Sequence, residues 1–111
     1  MGKLVRDKIP DLIRLDGRAP HVIALTDQDY RNALSQKLRQ EVDELLAADG
    51  KIAVLGEVAD ILEVLSAIVV EHGATLGSAI EVARDKREQR GGFKIRLWLE
   101  SPDTTEELTS R

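Results

Sequence analysis

Cysteine is absent from this chain of 111 residues, so neither a disulfide framework nor a thiolate metal site is open to it. Aromatic residues make up only 3% of it, which leaves Leu, Ile, Val and Ala to build the core, as in helix-on-helix packing. No apolar run approaches the 18 or so residues that a membrane span needs; the longest, residues 61–70, is broken by Glu63 and Ser66. The opening MGKLVRDKIP lacks the apolar centre of a secretory signal. A net charge of −4 gives no general surface for nucleic acid. The expected protein is therefore cytoplasmic, with neither membrane nor nucleic acid as partner. Its length suits one domain, residues 1–100, followed by a polar, aperiodic tail over 101–111.

What the chain does have is concentrated between Lys37 and Val64. This stretch reads as two helices folded back on each other around Ala48-Asp49-Gly50, each with two acids three residues apart: Glu41 and Glu44, then Glu57 and Asp60. Residues three apart share a helix face. The pairs are nearly symmetric about Gly50, so an antiparallel hairpin sets Glu44 level with Glu57 and Glu41 level with Asp60. Glu41 shares its face with Leu34, Leu38, Leu45 and Ala48, while Glu44 lies at the edge of that stripe with Lys37. Glu57 and Asp60 share theirs with Ala53, Ile61, Val64 and Ile68. A single acidic pair is ordinarily a solvated face. Two pairs, facing each other inside apolar stripes with one lysine nearby, cannot neutralise themselves, and a divalent cation resolves the conflict. Carboxylate oxygens alone favour Mg²⁺ or Mn²⁺. A di-iron bundle would need Glu-x-x-His, which neither helix supplies.

The remaining elements follow from local signals. Pro10 can open a short helix that Asp16-Gly17 ends. His21–Leu25 and Phe93–Leu99 are short and β-branched or alternating, and are expected to pair as a minor two-stranded β element. Thr26 with Asp29 resembles an N-cap for a helix from about Asp27 to Ala48. The second helix should run from about Ile52 to His72, with His72 a favourable C-terminal residue rather than a catalytic one, and Gly73 ending it. A third, capped by Thr75, should reach about Gln89. On the second helix Leu55, Val58, Leu62, Leu65 and Val69 make another apolar face opposite the acids, so a partner chain is expected to cover it. The expected fold is all-α, a helical bundle completed by oligomerisation.

Lys86, Arg87 and Arg90 cluster at the end of the third helix, before Gly91-Gly92. Cations there complement the helix dipole, but three on one face also suit phosphate. Lys3, Arg6 and Lys8 offer a second basic group at the N-terminus. A hard-cation site beside basic residues points to a polyphosphate substrate, with a carboxylate available to take a proton from water.

These segments together resemble the MazG-like, all-α nucleoside triphosphate pyrophosphohydrolase superfamily. The resemblance rests on Glu41-Val42-Asp43-Glu44, on Glu57-Val58-Ala59-Asp60, on the opening Lys3-Leu4-Val5-Arg6-Asp7-Lys8-Ile9-Pro10 and on Lys86-Arg87-Glu88-Gln89-Arg90-Gly91-Gly92-Phe93. The last two are similar to the phosphoribosyl-ATP pyrophosphohydrolase-like branch. One departure is Gln40, where the family often carries a second, adjacent glutamate. The resemblance implies Mg²⁺-dependent cleavage of a nucleoside triphosphate between its α and β phosphates, in a homodimer or homotetramer. Carried over by position, Glu41, Glu44, Glu57 and Asp60 become metal ligands, with Glu41 or Glu44 activating water. Arg6, Lys8, Lys37, Lys86, Arg87 and Arg90 become candidates for binding the triphosphate. Two alternatives stand beside this reading: phosphoribosyl-ATP hydrolysis, and a nucleotide-binding or oligomerisation module without turnover.

Overall fold

The computed structural model describes residues 2–101, so residues 102–111 of the expected polar tail lie outside the described residues. The fold is all-α, with four helices among the described residues: α1 (Ile9–Leu15), α2 (Asp27–Ala47), α3 (Lys51–Glu71) and α4 (Leu76–Arg90). None of the four is long and apolar enough to cross a membrane. By compactness the chain divides after Ala79 into two units. The first holds α1, the α2–α3 hairpin and the acids.

Each boundary has a local cause. Pro10 lies in the first turn of α1, where its missing N–H costs nothing, and Gly17 at φ 82 stops the helix. The hydroxyl of Thr26 accepts the Asp29 N–H at 3.3 Å, and Asp27 and Asp29 complement the dipole of α2. Gly50 turns the chain at φ 89, ψ 160, a conformation that is essentially glycine's alone. At the far end of α3, Ala74 N–H donates to Val69 O and Gly73 N–H to Val70 O, with Gly73 at φ 76. This is a Schellman ending, and His72 is its cap residue. The Thr75 hydroxyl accepts the Ser78 N–H at 3.1 Å to start α4.

The hairpin of α2 and α3 is the centre of the first unit. Arg31 in the second turn of α2 lies 3.8 Å from Glu71 at the end of α3, which marks the antiparallel register. Leu34 and Val64 are its buried apolar side chains, with Leu38, Leu45, Ile61 and Ile68 half-buried beside them. On the other side of α3, Val58, Leu65 and Val69 are half-buried, whereas Leu55 and Leu62 are exposed.

Neither expected strand forms in the chain as described. His21–Leu25 is coil, without backbone hydrogen bonds to another segment among the described residues. In 93–99 a turn interrupts the alternation: Arg96 N–H donates to Phe93 O at 3.1 Å, with Arg96 at φ 62. The two segments fall in different units. β-Branched residues favour a strand only when a neighbour supplies the ladder.

Candidate functional site

The α2–α3 hairpin brings Glu41, Glu44 and Glu57 together, each offering one carboxylate oxygen within 4.8 Å of the others. Glu41 is the most enclosed, 5% exposed within the apolar stripe of Leu34. One of its oxygens lies 3.3 Å from Lys37 Nζ, a turn earlier on α2. Its other oxygen is buried without a hydrogen-bond partner, and so is one oxygen of Glu57. Buried carboxylate oxygens are costly in that state. Glu44 lies at the exposed edge and accepts from the Gln40 side-chain amide at 3.3 Å. Gln40 thus supports Glu44 by a hydrogen bond without adding another negative charge.

Glu57 is perturbed by this crowding. Desolvation first, then the negative charges of Glu44, Asp60 and Glu41, raise its pKa above the ordinary carboxylate value. The three residues fit a hard divalent cation by donor type, by proximity and by the two orphaned oxygens, which such an ion would satisfy.

Asp60, the fourth expected ligand, stands next to this group and not within it. Its Oδ1 accepts from the Arg6 guanidinium at 2.8 Å. The N-terminal segment therefore lies against the hairpin, and a cleft of about 710 Å³ between them is lined by Lys3–Ile9, Leu34, Lys37, Glu41, Asp60 and Val64. Arg6 and Lys37 are thus both beside the acids. Lys8 also lines this cleft. Arg87 and Arg90 occupy the last turn of α4, with Lys86 just before it; all three are in the second unit and exposed there.

A neighbouring cleft of about 850 Å³ has no counterpart in the sequence reading. The N-terminal segment, residues 21–25 and the outer face of α2 enclose it. The available signal was a run of side-chain amides, Asn32, Gln36 and Gln40, spaced four apart and so on one helix face. The coil that closes the cleft has no periodicity to reveal it.

Comparison with known proteins adds one relative. A protein of Mycolicibacterium smegmatis, described only as uncharacterized, is 53% identical over 55 residues. That match covers 50% of this chain and 56% of the relative, so little more than half of the relative's length is spanned. No family model and no solved structure matches the chain.

Proposed function

We propose that this chain is a divalent-cation-dependent nucleoside triphosphate pyrophosphohydrolase of the MazG-like kind, acting in the cytoplasm as a homo-oligomer. The observation that carries the reading is Glu41: a carboxylate 5% exposed, with one oxygen unpartnered, opposite Glu57 and beside Glu44. A fold bears such a cost where a ligand offsets it. Glu41, Glu44 and Glu57 would hold Mg²⁺ or Mn²⁺, which supplies positive charge to the oxygens of a polyphosphate.

The chain's own residues then have distinct tasks. Lys37 and Arg6 are the cations beside the acids, and both are offered to the triphosphate. When Arg6 turns to phosphate it leaves Asp60 free to complete the ligand set. Of the two candidate bases, Glu44 is the better placed to take a proton from water, being exposed, whereas Glu41 is buried and tied to Lys37. Water attacks the α-phosphorus, its bond to the α–β bridging oxygen breaks, and the electron pair leaves with pyrophosphate. Lys8, Lys86, Arg87 and Arg90 stand as further phosphate ligands on the strength of the resemblance. Pairing of 21–25 with 93–99 would belong to the assembled oligomer, where ladders can run between copies.

A panel of nucleoside triphosphates and phosphoribosyl-ATP, assayed with inorganic pyrophosphatase as coupling enzyme, tests this. Wild-type chain with Mg²⁺ should release monophosphate and pyrophosphate. Glu57→Gln and Asp60→Asn should abolish release while helical circular dichroism is kept. Absence of hydrolysis across the panel would overturn the proposal in favour of a module without turnover.

A further inference from the structure

The 850 Å³ cleft lies within the usual size range of small-molecule sites. Its walls differ in chemistry. Val22, Ile23 and Leu25 form an apolar side, the half-buried ring of Tyr30 adds an aromatic surface, and Asn32 and Gln36 present primary amides from α2. Asn32 already accepts from Gln28 through its side-chain oxygen at 3.3 Å, and Gln40 donates to Glu44. Gln36 makes no side-chain hydrogen bond among the described residues, so both its donor and its acceptor are available to a ligand.

The cleft also shares a lining residue with the space beside the acids. Lys37 lines both clefts and pairs with Glu41. Along α2, Gln36 lies roughly 7.5 Å before Glu41 and Asn32 roughly 13.5 Å before it, at 1.5 Å per residue. A molecule with its phosphates at Glu41 and Lys37 would extend its other end between the apolar wall and the amides. A flat heterocycle with apolar faces and a polar edge meets both walls.

We propose that this cleft is the nucleobase subsite, with Gln36 reading the hydrogen-bonding edge of the base. The inference deepens the pyrophosphohydrolase reading and rests on it for the placement of the phosphates, while the base contacts can be measured independently of turnover. A primary amide pairs with an edge that has one donor beside one acceptor, whereas a carboxylate can only accept.

The test measures hydrolysis of the four common ribonucleoside triphosphates and, separately, calorimetric binding of the corresponding monophosphates, for wild type, Gln36→Ala and Gln36→Glu. Gln36 is exposed, so both variants should fold. Gln36→Ala should raise KM for the preferred base about tenfold, as loss of one ligand hydrogen bond does, with kcat nearly kept. Gln36→Glu should reorder the bases toward guanine, whose N1–H and N2–H₂ are adjacent donors, in both assays. Hydrolysis with an unchanged order of bases in both variants would overturn the subsite and leave the proposed reaction standing. Gln36-dependent binding of monophosphates without any hydrolysis would keep the subsite and overturn the reaction. Neither hydrolysis nor binding would overturn both.

Discussion

Desolvation and the surrounding carboxylates raise the pKa of Glu57, so folding without metal favours its protonated form more than the unfolded chain does. The stability this group contributes is fully present below its ordinary value of 4.5 and is lost as pH rises through the raised one. Without metal, wild type should therefore lose stability relative to Glu57→Gln as pH climbs from about 4.5 toward neutrality, because the amide mimics the protonated acid. Adding Mg²⁺ or Mn²⁺ at neutral pH should reverse the order: wild type gains melting temperature by mass action and the variant does not. Parallel thermal melts of the two proteins across pH, with and without metal, would reveal this; a metal-independent difference would count against the ligand assignment. At this scale Glu41, Glu44 and Glu57 were legible in the sequence, since helical spacing and a short turn suffice to bring them together. Arg6 against Asp60 was not, because a contact between an extended segment and a helix leaves no period to read.

The helices themselves were read closely, since each is bounded by a side chain or glycine with a local mechanism: Thr26, Gly50, Gly73 and Thr75. The two expected strands are unpaired in the chain as described, since alternation is a property of one segment and pairing needs two. The hairpin allows a sharp comparison between glycines. At Gly50 (φ 89) an added Cβ meets nothing within 4 Å, so only the backbone conformation opposes it. Gly50→Ala should destabilise the protein by about 1–3 kcal/mol in urea unfolding. Gly56 is inside α3, also with open space around it, so Gly56→Ala should stabilise by up to about 1 kcal/mol. Equal effects of the two substitutions would show that the turn does not impose its conformation on the hairpin.

The described residues bury few apolar side chains: Leu34 and Val64 are the buried hydrophobic residues among them, while Leu55 and Leu62 on α3 stay exposed. Net stability is a small margin, and burying one leucine contributes roughly 1.5–3 kcal/mol, so a second copy across α3 would supply much of what one chain lacks. Light scattering should show at least a dimer at micromolar concentration, and Leu62→Glu should dissociate or unfold it by placing a charge at the seam. A well-folded, monodisperse wild-type monomer would contradict this. The short link at Ala48-Asp49-Gly50 also has a kinetic consequence. Closing so small a loop takes on the order of 10–100 ns and helix growth about a microsecond, whereas docking of separate chains takes milliseconds to minutes and depends on concentration. Glu41, Glu44 and Glu57 can therefore meet within one newly made chain, and if the proposed oligomer and metal site hold, dilution should delay assembly without delaying capture of a divalent cation.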